Sequence, residues 1–152
     1  MSQTNTQRGL VVRRLNAGVY GPLPSDADWQ GKLVRLTIYS GAPPVPVAPC
    51  STPAQFPHFV ILDGRSTDTL VSVIPLSPDQ PVRVRLVGTC VSGQEVCVAT
   101  GSAPDANTAG NAQALPTSAG TYAVFGVAEE PGVDGQLVLV RPMNPRLVTV
   151  EE

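Results

Sequence analysis

Short runs in which apolar and polar residues alternate recur along the chain, and most of them end in residues that favour turns. In residues 82–87, for example, Val82, Val84 and Leu86 fall on one face and the two arginines between them fall on the other. Alternation with a period of two is typical of a strand that buries one face. The pattern therefore predicts short strands and no long helix. After a first strand-like run at 9–15, about eight strands are predicted, over residues 32–40, 59–62, 70–76, 82–87, 95–99, 122–128, 136–141 and 147–150.

Proline and glycine strengthen this prediction, because the 152 residues include 16 prolines and 14 glycines, which interrupt helices. We predict an all-β fold, with a single small β-barrel or β-sandwich domain over residues 16–152 and an extended N-terminal arm over residues 1–15. Residues 41–57 contain six prolines and are predicted to form a long loop outside any sheet. Residues 95–99 are expected to pair with residues 82–87 as a hairpin. We expect no internal repeat.

The charge balance argues against a nucleic-acid partner. The net charge is −2 and the pI is near 5.3, whereas binding to phosphates needs clustered lysine and arginine. No apolar run approaches the roughly 20 residues of a membrane-spanning helix, and the polar residues 1–7 do not resemble a signal peptide. We therefore expect a protein that is made in a cytosol and binds neither nucleic acid nor membrane.

The three cysteines, Cys50, Cys90 and Cys97, are an odd number, which fits a reducing compartment better than a disulfide framework. A two-residue turn at 93–94 would place Cys90 opposite Cys97, at a pair whose Cα atoms lie further apart than at the alternate sites. A turn centred on residues 92–93 would put the two cysteines out of register. The sequence leaves both a disulfide and two buried thiols open, and it favours the buried thiols.

Residues that carry enzyme chemistry are sparse. No arrangement of serine and aspartate singles out His58 as a base, and Asp63, Asp68 and Asp79 are scattered in predicted loops. One histidine and three separated cysteines do not give the local ligand spacing of a zinc site. The acidic turn at 129–132 lacks the alternating oxygen ligands of a calcium loop. We expect no enzymatic activity, no cofactor, no metal and no small-molecule substrate.

Arginines form a charge pattern with two possible meanings. Arg83 and Arg85 share one face of a predicted strand, while Arg8, Arg13 and Arg14 lie near the N-terminus. One interpretation is an ordinary solvated strand face. The other is an oligomer or partner interface, where such charges set the register and the rate of association with an acidic surface. The sequence does not decide between them.

The second half of the chain resembles a known protein family. A strand with VRV at 82–84 is followed by a Ser-Gly-Gln turn and EVCVATG. A stretch rich in Ala, Gly and Asn then leads to AGTYAVFGVAEEP and to GQLVLVRP. This order of parts, over about residues 80–150, resembles the small capsid decoration (cement) proteins of tailed bacteriophages. Residues 32–76, with the proline-rich loop, are longer than in compact members of that family.

The resemblance implies a protein that is made in the host bacterial cytoplasm and binds the outer surface of an expanded phage head. It implies a homotrimer that clamps neighbouring subunits of the major capsid protein. Such proteins commonly use an N-terminal arm that adds a strand to the sheet of the capsid protein. Deletion of residues 1–12 is then expected to abolish capsid binding and to leave the fold intact. The hypothesised capsid-interface residues are Arg8, Leu10, Val11, Val12, Arg13 and Arg14.

Two other functional classes remain open at this point. One is another structural β-module of a virion, such as a tail, fibre or head-completion protein. The other is a carbohydrate- or ligand-binding β-sandwich, which would need aromatic side chains to stack on a sugar. Against that class, Tyr20, Trp29, Tyr39 and Tyr122 do not cluster in the sequence.

Overall fold

A computed structural model of the chain describes residues 11–14, 28–37, 40–41, 46–65, 70–100 and 109–152. Within these residues the protein is all-β, which confirms the predicted fold class, and contains ten strands and no helix. The strands are β1 (Val11–Arg14), β2 (Leu33–Leu36), β3 (Val47–Pro49), β4 (Phe59–Asp63), β5 (Leu70–Pro75), β6 (Val82–Arg85), β7 (Glu95–Val98), β8 (Ala112–Ala114), β9 (Gly120–Ala128) and β10 (Leu137–Val150).

The strands form two antiparallel sheets of five strands each. The first sheet, in the order β1-β5-β4-β2-β3, curves into a half-barrel. The second has the order β6-β10-β9-β7-β8. Its two end strands meet where Leu86 bridges Ala112 and the Val87 N–H donates to the Ala112 carbonyl at 2.8 Å. The second sheet is therefore a nearly closed barrel.

The main hydrophobic core joins the two sheets. Leu33, Cys50 and Val60 of the first sheet pack in one cluster with buried side chains of the second. The other face of the first sheet carries a separate cluster around Trp29, which is only 2% exposed. The second-sheet members of the shared core are Val82, Val84, Leu86, Cys90, Val96, Val98, Ala112, Phe125, Ala128, Val138 and Val140.

Two glycines allow the sheets to approach each other closely. Gly31, with φ +84°, donates to the Ile61 carbonyl at 2.8 Å and accepts from the Arg85 N–H at 3.0 Å. Gly110, with φ +81°, accepts from the Leu33 N–H at 2.6 Å and donates to the Cys50 carbonyl at 2.7 Å. A Cβ at either glycine would lie 2.9 Å from a backbone atom of the opposing segment. Only glycine fits both the backbone conformation and the contact.

Strands β6 and β7 are repeated by β9 and β10 through a local twofold relation. The Gly93 N–H donates to the Ala128 carbonyl at 2.8 Å, and the equivalent Gly135 N–H donates to the Leu86 carbonyl, also at 2.8 Å. Two further bonds match in the same way. The Ala128 N–H donates to the Gln94 carbonyl and the Leu86 N–H donates to the Gln136 carbonyl, both at 2.9 Å. The expectation of no internal repeat is therefore wrong. The repeat is visible in the backbone geometry, and only a few residues are identical between the two copies of the unit.

The predicted hairpin between residues 82–87 and 95–99 is also wrong. β6 pairs with β10, and β7 pairs with β8 and β9. Alternation in the sequence shows which face of a strand is buried, but not which strand lies beside it.

Two strands fall where the sequence predicts none. β3 lies in the proline-rich segment 41–57, and Pro49 pairs with Val34 of β2. β3 is the edge strand of its sheet, so a residue without an N–H is tolerated there. β8 lies in the stretch rich in Ala, Gly and Asn. Conversely, the strands predicted at 136–141 and 147–150 are parts of the single strand β10, with an irregularity between Pro142 and Arg146.

Part of the predicted N-terminal arm lies in the first sheet. β1 pairs with β5 in an antiparallel register, in which Val11 lies opposite Val73 and Arg14 lies opposite Leu70. The rest of the arm, with Arg8 and Leu10, lies outside the described residues. The division at residue 15 stays a prediction.

Candidate interaction surface

The acidic turn between β9 and β10 is held by two arginines. Arg83 on β6 contacts Glu130, with Nη1 to Oε1 at 2.5 Å, and Glu130 also accepts from the Leu139 N–H at 3.1 Å. The Leu139 N–H, followed by Arg83, lowers the pKa of the Glu130 carboxyl from its ordinary value. Arg141 contacts Glu129 in the same way, with Nε to Oε1 at 2.5 Å. The turn is thus held to β6 by Arg83 and to β10 by Arg141.

Arg85 joins three segments rather than pointing freely into solvent. Its Nε donates to the Gln30 carbonyl at 3.1 Å and its Nη1 to the Gly135 carbonyl at 3.1 Å. The Asp28 carboxylate lies 3.8 Å from Nη2. Arg83 and Arg85 therefore both have partners within the chain. Their role at an oligomer or partner interface stays a prediction without separate geometric support.

Two turns of the same sequence pattern lie side by side at one end of the barrel. Residues 91–94 (VSGQ) and 133–136 (VDGQ) each close with a bond from the glutamine N–H to the valine carbonyl, at 3.2 and 3.1 Å. In each turn the glutamine Oε1 accepts from the valine N–H at 3.1 Å. Cys90 and Gly132, which precede the turns, exchange two backbone bonds of 3.1 Å. We call residues 88–94 and 131–136 the tip.

The tip presents two apolar side chains to solvent. Val91 is 62% exposed and Val133 is 60% exposed. Further bonds fix the loops around them, from the Gly88 N–H to Asp134 Oδ1 at 2.8 Å and from Ser92 Oγ to the carbonyl of residue 129 at 3.3 Å. Because the turns are already ordered by these bonds, they lose little conformational entropy when a partner contacts them. Charge and cysteine patterns in the sequence do not indicate this surface, whereas the repeated V-x-G-Q pattern is a signal that does.

The cysteines are free and buried, so the disulfide alternative is wrong. The turn centres on Ser92 and Gly93, which has φ +87°, and this puts Cys90 opposite Gly132 instead of Cys97. Burial raises the pKa of all three thiols, to about 12 for Cys50 and about 11 for Cys97. These thiols remain protonated at neutral pH and are poor nucleophiles.

His58 has a structural contact in the first sheet. Its Nδ1 accepts a hydrogen bond from the Leu36 N–H at 3.0 Å, which leaves the proton of the neutral ring on Nε2. The ring lines a cleft of about 230 Å³ together with Phe125, Met143 and several prolines. A second cleft, of about 310 Å³, lies between β4 and β6 and is mostly apolar. Neither cleft brings a histidine together with a nucleophile among the described residues.

In the described part of the chain, no three metal-ligating side chains come together. Asp63 and Asp79 are in separate places, at the end of β4 and in the turn before β6, and Asp68 lies outside the described residues. The same part of the chain holds no helix that is long and apolar enough to cross a membrane.

No protein-family model and no curated protein matches this chain. The surfaces that the described residues offer to a partner are the edges of the sheets and the exposed side chains. In the described residues the large apolar side chains that are exposed are Leu36, Phe56, Leu62, Leu70, Val91, Val133 and Leu147.

Proposed function

We propose that this protein is a capsid decoration protein of a tailed bacteriophage. As a homotrimer it binds the outer surface of the expanded head and stabilises it by clamping neighbouring subunits of the major capsid protein. The resemblance over residues 80–150 supports this function. The same residues form the second sheet, whose turns are held by ion pairs and backbone bonds.

The position of β1 carries the proposal. β1 is the edge strand of the first sheet, since it pairs with β5 on one side and with no other described strand. An edge strand presents unpaired N–H and C=O groups that a strand of another protein can extend. The resemblance assigns capsid contact to these same residues, Val11–Arg14. In this arrangement a capsid strand adds to the outer side of β1, while β5 holds the inner side.

The tip offers a second, smaller contact. Two exposed valines bury too little apolar area for a stable complex on their own. On a capsid lattice, several weak contacts made by one oligomer add through effective concentration. A small ordered contact of this kind suits a protein that binds at several points at once.

Truncation tests the proposal. Deletion of residues 1–14 removes β1, and deletion of residues 1–10 keeps it. We expect both truncated proteins to show a cooperative thermal transition, because the shared core lies in β2–β10 and the segments that join them. Co-sedimentation with expanded capsids that lack the decoration protein should be lost on deletion of residues 1–14. The shorter deletion reports how much Arg8 and Leu10 contribute.

Two results would contradict the proposal. One is binding of the 1–14 deletion that equals binding of the full chain. The other is a full chain that fails to bind capsids at both low and high salt. Density at threefold positions of the decorated capsid, seen by electron cryomicroscopy, is the expected result for the full chain.

A further inference from the structure

The C-terminal half of β10 has a described partner strand on one side only. β10 pairs with β6 only from Leu137 to Val140, while its pairing with β9 continues to Val150. β9 in turn pairs with β7 only as far as Val124. The segments 120–123 and 146–150 therefore form a two-stranded ribbon, and no described strand pairs with the outer side of 146–150.

Between Leu147 and Val150 this open edge lacks the charge, proline or bulge that usually protects an edge strand. The prolines and the irregularity of β10 are confined to residues 142–145, and the ladder from Arg146 to Val150 is regular. The edge carries β-branched Val148, Thr149 and Val150, and Leu147 is 53% exposed. Edges of this kind pair readily with another strand. One face of the ribbon is packed, since Val148 and Val150 contact the cluster around Tyr122, so the outer side of β10 is the part that is open to a partner strand.

The charges along the edge are complementary to those of a second copy in antiparallel orientation. The segment begins with Arg146, continues with four uncharged residues and ends with Glu151 and Glu152. The side chain of Arg146 contacts Glu95 and is still 48% exposed, so it can meet a second carboxylate. When the segments of two copies lie antiparallel, the acidic end of one lies beside the Arg146 end of the other.

Symmetry restricts the register of such a pair. Hydrogen-bonded and non-hydrogen-bonded pairs alternate in an antiparallel ladder, so a twofold axis must place one residue opposite its own copy. With Thr149 at the axis, Val148 lies opposite Val150, and Arg146 lies opposite Glu152 of the second copy. With Val148 at the axis, Arg146 would face Val150 instead and lose its ionic partner. Opposite-charge and Thr–Thr pairs are both favourable across strands.

We propose that two copies of this chain pair through residues 146–152, which are the end of β10 and the two residues after it, antiparallel and centred on Thr149, to form one continuous sheet across a twofold axis. The pairing adds a third strand to the ribbon of each copy. It uses the second sheet, whereas the proposed capsid contact uses β1 of the first sheet, so either can occur without the other. In a homotrimer, the β10 edge of each subunit would pair with a subunit of a second trimer.

Disulfide trapping tests this register directly. Thr149 is exposed, and Cys50, Cys90 and Cys97 are buried. Thr149→Cys therefore introduces a thiol that an oxidant and a second copy can reach. We expect Thr149→Cys to form a covalent dimer under mild oxidation. Thr121→Cys is the matched control, since Thr121 is equally an exposed threonine and lies directly opposite Thr149 on the inner strand β9. The control should cross-link far more slowly.

A charge variant provides an independent readout. Thr149→Lys places two like charges opposite each other at the axis and should weaken self-association about tenfold, while Thr121→Lys should leave it nearly unchanged. Sedimentation velocity over a range of concentrations measures both, with thermal melting as the check on folding. The proposal is overturned by a wild-type chain that stays monomeric throughout, or by Thr149→Cys that cross-links no faster than the control. An assembly that Thr149→Lys leaves intact overturns it too.

Discussion

At the scale of single residues, glycine at position 31 combines two requirements. Its φ of +84° disfavours other residues, and a Cβ there would lie 2.3 Å from the Leu137 side chain and 2.9 Å from the Arg85 nitrogen. Gly93 has a similar φ of +87° but open space around the position of a Cβ. Substitutions at Gly93 therefore measure the free-energy cost of a positive φ alone, and substitutions at Gly31 add the cost of the close contact.

We expect Gly93→Ala to cost about 1 kcal/mol, the price of a left-handed residue with a side chain. Gly31→Ala should cost at least roughly 3 kcal/mol, or prevent folding, because backbone atoms on the opposing strand cannot move out of the way. Urea unfolding midpoints of the two variants measure the difference. Equal midpoints would mean that the contact at Gly31 relaxes without strain.

Buried thiols make the protein sensitive to alkali. The pKa of Cys97 is raised to about 11 by burial, whereas a thiol in the unfolded chain ionises near 8.5. Above about pH 8.5 the unfolded chain loses this proton and the folded protein keeps it, so stability falls as the pH rises. Cys97→Ala should be less stable at neutral pH because it loses buried volume, yet its stability should fall less steeply between pH 8 and pH 10. Urea unfolding across that range tests the slope, and parallel curves for the two proteins would contradict the prediction.

At the scale of elements, the β9–β10 turn depends on an ionised carboxylate. The pKa of Glu130 is lowered, so its contacts stabilise the fold above the ordinary glutamate pKa of about 4.3 and are lost as the pH falls through the lower, folded value. Glu130→Gln should lower the melting temperature slightly at pH 7, and the difference from the wild type should shrink below about pH 4. Asp79→Asn, at an exposed aspartate in the turn before β6, is the control and should change neither the melting temperature nor its dependence on pH. A difference that stays constant with pH would show that the charge is not involved.

Most strands could be predicted from the sequence, and their partners could not. Val82 and Val84 are buried and Arg83 is exposed, as alternation on one strand predicts. Alternation contains no information on which distant strands pair, so it does not reveal that β7 pairs with β9 and not with β6. β3 is hard to predict for a different reason: an edge position tolerates Pro49, and composition alone does not reveal which strands lie at an edge.

The candidate surface was less predictable than the fold. The arginines at 83 and 85 were visible as a pattern, but their carboxylate and carbonyl partners come from segments about 45–55 residues away in sequence. Long-range contacts of this kind depend on the order of strands in the sheets, which a local sequence pattern does not predict. The tip is the exception, since the repeated V-x-G-Q turns of Val91 and Val133 could have indicated two equivalent, exposed positions.

At the scale of the whole molecule, the two sheets share one core. Val60 of the first sheet and Val138 of the second belong to the same cluster and are 2% and 0% exposed. The backbone bonds at Gly31 and Gly110 connect the sheets at two further points. Neither sheet can separate without exposing the apolar face of the other, so both should unfold in one cooperative transition.

Alanine substitutions on each side of the core test this cooperativity. Val60→Ala and Val138→Ala each remove two buried methyl groups and should cost roughly 2 kcal/mol, equivalent to a fall in Tm of about 4–8 °C for a chain of this size. Calorimetry should show a single transition in both variants, shifted by similar amounts, with the van't Hoff enthalpy equal to the calorimetric one. Val133→Ala, at an exposed valine of the tip, is the control and should leave the Tm nearly unchanged. If Val60→Ala instead splits the transition while Val138→Ala does not, the first sheet is a separate folding unit, and its edge strand β1 could detach to bind a partner without unfolding the barrel.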